Sequence, residues 1–388
     1  MSTHKTDEVE LINEGSFGCI YHPGIQCNGR KEDKRYITKI QKQTETTTNE
    51  VRIGKIIQKK IHAFRNYFSP IVKQCPVKIG HKYVDKIKQC KVFEKESDTQ
   101  IETSVYVSNK ILFLGNSDLQ KYLHSVLPQD TIFHPVVPPP YAFWKAVLDT
   151  HIRLLQGIQL LLRAGILHMD IKSNNIMVEP VQDHPIFIDF GISIDHSSLS
   201  KNAKSSFYIY DAYTPWCIDV LMCNYVVQII GSSNAPSTHI RDTDVEEILQ
   251  TYEYGALSEK NTRQRIQNDI FRGTLFSPET LETFRKNIRA YFKNRYVSQN
   301  ATWQEVYAEM TTRTYVSWDN YSVGAMYKGI LESAQEHEES ILDQPAHIAR
   351  PYREILHSVI YSTPDKRPTV DETLHELIRL QREWTDAE

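Results

Sequence analysis

Residues 166–178 read ILHMDIKSNNIMV, an unusual combination of polar and apolar residues. It carries four polar residues at fixed offsets between two apolar runs: His168, Asp170, Lys172 and Asn175. This pattern fits neither one face of a helix nor an ordinary turn. A loop held between buried elements can keep such groups in place for chemistry. The stretch therefore predicts a functional loop on a well-packed scaffold.

The composition is that of a soluble globular protein with a substantial core. The chain is 40% hydrophobic and 24% charged. Its length of 388 residues is enough for two or three domains of about 150 residues, or for two lobes with insertions. The net charge of −3 gives no general attraction to nucleic acid or anionic membranes. The N-terminus has no apolar signal segment, and the most apolar stretch, 216–230, is too polar to span a membrane.

The six cysteines are scattered along the chain and are not expected to form a disulfide framework. This predicts a reducing compartment, the cytoplasm. A metal site built from Cys27, Cys75, His81 and Cys90 is a weaker alternative, because no C-x-x-C pair supports it.

The order of patterns predicts an α+β protein with a β-rich front and a helical rear, arranged in two lobes. In the front, residues 9–21 and 35–40 predict strands, and 49–61 predicts an amphipathic helix. The proline-rich run 134–141 predicts an extended connector. A helix is expected from Ala142 to Ala164.

One helix of the rear is specified at its start by two residues. Within 277–292, Ser277 suits the N-cap position and Pro278 the first helical position, and the apolar residues that follow recur at helical spacing.

The polar loop has the residues that phosphoryl transfer requires. Asp170 can orient an attacking hydroxyl and accept its proton, Lys172 can neutralise charge on a transferring phosphoryl group, and the Asn175 amide oxygen can bind a divalent cation. Asp189 follows the apolar run IFI and is a natural Mg²⁺ ligand at a strand end.

In this pattern the chain resembles the eukaryotic-type protein kinases. Their catalytic loop H-R-D-L-x-x-x-N and metal motif D-F-G correspond to HMDIKSNN (168–175) and Asp189-Phe190-Gly191, in the same order. Two rear segments extend the resemblance: DNYSVG (319–324), whose Asp caps the catalytic-loop backbone in that family, and PDKRPT (364–369).

The resemblance also implies a nucleotide site in the front lobe. Lys39 matches the phosphate-pairing lysine, with Glu50 as its helix partner and Thr38 in place of the alanine that faces adenine. A degenerate glycine-rich loop, NEGSFGCI, and one rear-lobe residue complete the implied ATP-binding set: Asn13, Gly15, Ser16, Phe17, Gly18, Ile20 and Met177.

Three departures from the family pattern carry expectations of their own. Met169 replaces the arginine of H-R-D, so activation through a phosphate on the following segment is not expected. The A-P-E motif is not recognisable near 214–216, which leaves Arg367 without its usual partner unless Asp219 substitutes. A helical insertion is expected at about 221–316, near the protein-substrate groove.

A basic cluster within this insertion has two readings. It is either a solvated face or a surface that attracts acidic substrates or nucleic acid. Its members are Arg285, Lys286, Arg289, Lys293 and Arg295.

The segments GCIYHPGIQC (18–27) and YITKIQ (36–41), with the long insertion, look like the divergent Ser/Thr kinases of nucleocytoplasmic large DNA viruses. That resemblance implies action in host cytoplasm or in virions. Residues 1–116 would form the kinase N-lobe and 117–388 the C-lobe.

The predicted function is transfer of the γ-phosphoryl group of ATP, with Mg²⁺, to Ser or Thr hydroxyls of protein substrates. Two alternatives stay open. A pseudokinase would bind partners without turnover, although Lys39, Asp170, Asn175 and Asp189 are all present. A small-molecule kinase would explain the missing A-P-E motif, but DNYSVG and PDKRPT argue against it. No membrane span and no nucleic-acid partner are expected, and the oligomeric state is open.

Overall fold

The computed structural model describes most of the chain in ten segments. These are residues 9–15, 18–28, 30–31, 33–127, 139–199, 207, 213–227, 238–255, 267–343 and 345–385. The described residues divide into two compact units. The first comprises Met1–Asn116, Glu179–Gln182 and Ile186–Ser193, and the second comprises Ser117–Val178, Asp183–Pro185 and Ile194–Glu388.

The first unit is built on an antiparallel five-stranded sheet of order β1-β2-β3-β5-β4. The strands are β1 (Glu10–Gly15), β2 (Gly18–His22), β3 (Tyr36–Gln41), β4 (Lys73–Lys78) and β5 (Val105–Leu112). Three helices accompany them: α1 (Glu45–Lys60), α2 (Val84–Lys88) and α3 (Asp98–Thr103). Apolar residues from the sheet and from α2 and α3 form one buried cluster, which includes Tyr21, Ile40, Ile87 and Ile101.

Helix α1 begins four residues before the predicted start. The Thr44 side chain accepts a hydrogen bond from the Thr47 backbone N–H, and the Thr47 hydroxyl bonds back to the Thr44 backbone. This reciprocal cap stabilises the Thr-rich turn as helix, although threonine has a low intrinsic helix propensity. Glu50 is therefore placed in the second turn of α1, on its buried side.

The second unit is mainly helical. Its helices are α4 (Leu119–Ser125), α5 (Pro139–Ala164), α6 (His196–Leu199), α7 (Ile218–Tyr225), α8 (Asp242–Tyr254), α9 (Pro278–Phe292), α10 (Trp303–Glu309), α11 (Trp318–His337), α12 (Ala346–Ile360) and α13 (Val370–Thr385). Four short strands are also present in the described residues: β6 (Ile166–Leu167), β7 (Ile176–Glu179), β8 (His184–Phe187) and β9 (Ile194–Asp195). The predicted α+β class is confirmed, and the arrangement is compatible with a two-lobed kinase-like fold.

The predicted helix at 277–292 is present as α9. The Ser277 side chain accepts from the Thr280 N–H, and Pro278 occupies the first turn, as the sequence indicated. The predicted connector at 134–141 is wrong at its end, because α5 already begins at Pro139. Proline is tolerated in a first helical turn, where its missing N–H has no partner to lose. Residues 134–138 lie outside the described segments.

The cysteine prediction is wrong. The structure joins Cys19 to Cys90 and Cys27 to Cys75, with Cα–Cα distances of 6.1 and 5.6 Å. The sheet brings together cysteines that are 71 and 48 residues apart in the sequence, which their spacing does not reveal. The inference of a reducing compartment loses its basis.

The alternative metal site is not assembled either. Cys27 and Cys75 are bonded to each other, and Cys90 is bonded to Cys19. No group of three or more His, Cys, Asp or Glu side chains in the described segments is arranged to hold a metal ion. Cys217 and Cys223 are buried free thiols. Among the helices described, none combines the length and the apolar character that a membrane crossing requires.

Candidate active site

The first unit brings together three charged residues that are far apart in sequence. Lys39 Nζ lies 3.3 Å from Glu50 Oε2 and 3.4 Å from both carboxylate oxygens of Asp189. We call these three residues the Lys39 cluster. The side chains of Lys39 and Glu50 are 9% and 5% exposed, whereas that of Asp189 is 38% exposed. The Asp189 carboxylate is thus the most solvent-exposed group of the cluster.

The charges of the Lys39 cluster depend on one another. Burial disfavours the Lys39 ammonium, but the Glu50 and Asp189 carboxylates outweigh this effect and raise the pKa of Lys39. Burial raises the pKa of Glu50 and the nearby Asp189 charge adds to this effect, while Lys39 opposes both. Removing the lysine charge would leave two carboxylates in close proximity, so the lysine is the residue on which the cluster depends.

The backbone at Asp189 has an unusual conformation. Its φ is 59°, a left-handed value that is uncommon for a residue other than glycine. Helix α1 holds the segment that follows, because Asn49 Nδ2 donates to the Gly191 carbonyl at 3.0 Å and to the Ser193 carbonyl at 2.8 Å. Phe190 is buried, with its ring edge-on to Phe68. Sequence reasoning missed Asn49, although it directly precedes Glu50.

The glycine-rich segment forms the ends of β1 and β2. Gly15 pairs with Gly18 and Asn13 pairs with Ile20 across the two strands, and Ile20 in turn pairs with Lys39 of β3. Paired residues in neighbouring strands share one face of the sheet, so Ile20 lies on the face that carries Lys39. Ser16 and Phe17 lie outside the described residues.

Gly18 has a structural requirement of its own. A Cβ atom at this position would lie 2.5 Å from both the Ile40 carbonyl oxygen and Gln41 Cβ. This close approach of β2 to β3 explains the glycine without reference to a ligand.

Thr38 does not lie on the Lys39 face. Successive residues of a strand point to opposite sides, and the Thr38 hydroxyl accepts a hydrogen bond from the Ile25 N–H at 2.8 Å. The expectation that Thr38 replaces an adenine-facing alanine is therefore wrong. Ile37, two residues before Lys39 in β3, is the residue that lies on the same face of the sheet as Lys39.

The second unit contains the loop quoted at the outset. Asn175 Nδ2 donates to the Asp170 carbonyl at 2.9 Å and to Asp170 Oδ2 at 2.8 Å. Lys172 Nζ lies 3.0 Å from Asp170 Oδ1. Because both Asn175 bonds use its nitrogen, its amide oxygen Oδ1 is the atom left to bind a cation. We call residues 168–175 the Asp170 loop.

A buried carboxylate supports the Asp170 loop from α11. Asp319 Oδ2 accepts from the His168 N–H at 2.7 Å, and Oδ1 accepts from the Met169 N–H at 3.0 Å. Met169 has a φ of 68°, so the loop, like the segment at Asp189, includes a left-handed residue. Burial raises the pKa of Asp319, while the two N–H donors oppose that shift. The left-handed backbone at Met169 is strained, and strain of this kind persists only where surrounding contacts fix the backbone.

Two aromatic residues that the sequence did not assign to the site also contact the loop. Trp216 Nε1 donates to the Met169 carbonyl at 2.7 Å. Tyr213 places its hydroxyl 2.9 Å from Lys172 Nζ and donates a hydrogen bond to Asp170 Oδ1. Only the position of Tyr213 next to 214–216, the expected A-P-E region, hinted at this role. Met177, on β7, pairs as an isolated bridge with Asp118.

The expected substitute partner of Arg367 is present. Asp219 binds its guanidinium through two hydrogen bonds, at 2.9 and 3.0 Å. Asp219 is therefore the ionic partner of Arg367.

The basic cluster of the predicted insertion is largely paired. Arg285 contacts Glu253 at 2.6 Å, Arg289 contacts Glu246 at 3.0 Å, and Arg295 contacts Glu309 at 2.9 Å. Lys293 also contacts Glu246, at 3.2 Å. Each of these four cations forms an ion pair with a neighbouring acid, so the hypothesis of a surface that attracts acidic partners loses its support.

The comparisons with known proteins give one partial similarity. Over 115 residues, the sequence is 25% identical to a serine/threonine-protein kinase-like protein from Arabidopsis thaliana. The match covers 29% of this chain and 33% of that relative, so it spans about a third of the relative's length. No family model matches the chain. This weak similarity agrees with a kinase-like relationship.

Proposed function

We propose that the protein is an ATP-dependent protein kinase that transfers the γ-phosphoryl group to Ser or Thr hydroxyls of protein substrates. The observation that carries the proposal is the Lys39 cluster. A strand lysine, a helix glutamate and the aspartate of an Asp-Phe-Gly motif, 150 residues from the lysine in sequence, meet within 3.4 Å. A purely structural role would not require the Asp189 carboxylate to be part-exposed.

The residues present fit ATP and Mg²⁺ in their chemistry. Asp189 offers a part-exposed carboxylate and Asn175 an amide oxygen, and hard divalent cations prefer such oxygen ligands. Lys39 would pair with the α/β-phosphates, and Asn13, Gly15, Gly18, Ile20 and Met177 would line the nucleotide. Bound Mg²⁺ would neutralise charge on the phosphate oxygens. Ser16 and Phe17 belong to the same proposal.

The chain's own residues would then act on the acceptor. Asp170 would orient the acceptor hydroxyl and accept its proton, and Asn175 Nδ2 fixes the rotamer of that carboxylate through Oδ2. Lys172 would neutralise charge on the transferring group. Lys172 also underlies the preference for Ser or Thr over Tyr acceptors, because the tyrosine-specific families usually have other residues at that offset. The finer relationship to kinases of large DNA viruses stays a prediction.

Phosphate transfer from γ-labelled ATP with Mg²⁺ to a panel of acidic and basic proteins tests the proposal. Three variants accompany the wild type. Asp170→Asn removes the acceptor-orienting carboxylate, Asp189→Ala removes the metal ligand, and Asp343→Asn removes an exposed carboxylate as a matched control.

We expect label on Ser or Thr with the wild type and Asp343→Asn, and its loss with Asp170→Asn. Asp189→Ala should weaken Mg²⁺-dependent nucleotide binding. Bound ATP without transfer to any protein would instead favour the pseudokinase. Transfer only to small molecules would favour the small-molecule kinase.

A further inference from the structure

The hydroxyl of Tyr213 contacts two side chains of the Asp170 loop. It donates a hydrogen bond to Asp170 Oδ1, and Lys172 Nζ donates to it at 2.9 Å. The ring is held by an edge-on contact with Trp216, with ring centroids 5.4 Å apart, and by the Lys172 ammonium at 5.6 Å from its centroid. Tyr213 therefore reaches the loop in a defined orientation.

With Tyr213 in this position, both carboxylate oxygens of Asp170 are engaged. Oδ2 accepts from Asn175, while Oδ1 accepts from Tyr213 and contacts Lys172. The Asp170 side chain is only 13% exposed. Oδ1 already has two partners, so an incoming hydroxyl that is to donate to Oδ1 must replace one of them. Of the three partners, Lys172 and Asn175 belong to the Asp170 loop, whereas Tyr213 is a neutral residue outside it.

The Tyr213 hydroxyl is placed where an acceptor hydroxyl would be expected. A hydroxyl that donates to Asp170 makes the interaction that the proposed function assigns to a Ser or Thr acceptor, and it lies beside Lys172, which would face the transferring group. We propose, on the basis of the proposed kinase function, that Tyr213 occupies the acceptor position and competes with the protein substrate for it. Tyr213 is then the residue that determines how tightly a substrate hydroxyl must bind to enter.

Steady-state kinetics with varied protein acceptor and saturating ATP test this competition. Tyr213→Phe removes the hydroxyl and retains the ring that packs against Trp216. Tyr361→Phe is the matched control, because it removes another hydroxyl of the second unit that donates to a backbone carbonyl, that of Ile270 at 2.6 Å. The acceptor is the panel protein that the wild type, or Tyr213→Phe if the wild type is inactive, labels best.

We expect Tyr213→Phe to lower the acceptor KM by about threefold to tenfold, the range that corresponds to one hydrogen bond, without lowering kcat. Tyr361→Phe should leave KM unchanged. An inactive wild type with an active Tyr213→Phe variant would be the strongest form of support.

Two other results overturn the inference alone. A fall in kcat at unchanged KM would show that Tyr213 positions Asp170 rather than competes with the acceptor. An equal KM shift in Tyr361→Phe would show a general effect of hydroxyl loss. If the wild type and both tyrosine variants transfer no more label than Asp170→Asn, the proposed function itself fails and the inference fails with it.

Discussion

Arg367 and Asp219 form a two-point ion pair that is closed to solvent. Nη1 and Nη2 of the guanidinium lie 3.0 and 2.9 Å from Oδ2 and Oδ1, and the side chains are 1% and 0% exposed. Burial opposes the charge on Arg367, but Asp219 outweighs it and raises the pKa of the guanidinium. The pair joins α7 to the segment before α13, so it ties together parts of the second unit that are 148 residues apart.

Breaking this pair should strongly destabilise the second unit. Asp219→Asn leaves a buried arginine charge without its partner, and we expect the free energy of unfolding to fall by about 3–5 kcal/mol. Urea denaturation measures the change. The exposed pair of Arg379 and Glu376 is the control, and Glu376→Gln should have no measurable effect. Equal stability of the Asp219 variant and the wild type would contradict the structural role assigned to the pair.

The Lys39 cluster should depend on the charge of Glu50. Glu50→Gln keeps the shape of the side chain but removes the carboxylate that holds Lys39, so we expect kcat/KM for ATP to fall by about tenfold or more, as for loss of a hydrogen bond between charged groups. Glu45→Gln alters an exposed carboxylate of the same helix and should stay close to the wild type. Nucleotide titration and steady-state kinetics measure both variants. An unaffected Glu50→Gln enzyme would mean that the pair has no part in nucleotide binding.

Asp319 should control the backbone of the Asp170 loop. Its two oxygens accept from the His168 and Met169 N–H groups, and Asn at this position offers only one acceptor oxygen. We expect Asp319→Asn to lower the free energy of unfolding by about 1–3 kcal/mol, because one buried N–H is left unsatisfied. Phosphoryl transfer should fall more than nucleotide binding does. Equal losses in both would indicate general unfolding instead of a local change in the loop.

His151 should make the second unit sensitive to acid. The ring is buried, stacked on Tyr327 with centroids 4.4 Å apart, and its Nδ1 is hydrogen-bonded to the Tyr352 hydroxyl at 2.8 Å. Burial lowers its pKa from 6.5 to about 3. Below pH 6.5 the unfolded chain takes up a proton that the folded chain does not, so stability falls as the pH falls. The loss should reach about 2 kcal/mol at pH 5.

Urea denaturation at pH 7.5 and pH 5.0 measures this loss. His151→Gln retains a group that can hydrogen-bond Tyr352 but does not titrate. The variant should therefore lose less stability than the wild type between the two pH values. The same loss in both proteins would assign the acid sensitivity to other groups.

The disulfides of the first unit can be counted directly. Alkylation of the denatured, unreduced protein should label two thiols, Cys217 and Cys223, and prior reduction should raise the number to six. Cys217→Ala should lower the unreduced count to one. The Cys27→Ser/Cys75→Ser double variant should lose about 2–4 kcal/mol of unfolding free energy. Six labelled thiols without reduction would show that neither bond is formed.

Local signals in the sequence predicted much of the fold. The helix at 277–292 is fully specified by Ser277, Pro278 and an apolar stripe, because capping and helical periodicity act over a few residues. The same locality explains why the Asp170 loop could be read from a dozen residues. Local signals misled where context changes their meaning, as at Pro139, which starts a helix.

Sequence patterns alone predict the α+β class and the positions of the candidate chemical groups along the chain. Which of these groups meet depends on the tertiary structure, which brings together Lys39 and Asp189, Tyr213 and Asp170, and Cys19 and Cys90. These contacts join residues between 43 and 150 positions apart. Their formation depends on how strands pair and helices pack, and no short stretch of sequence encodes that geometry.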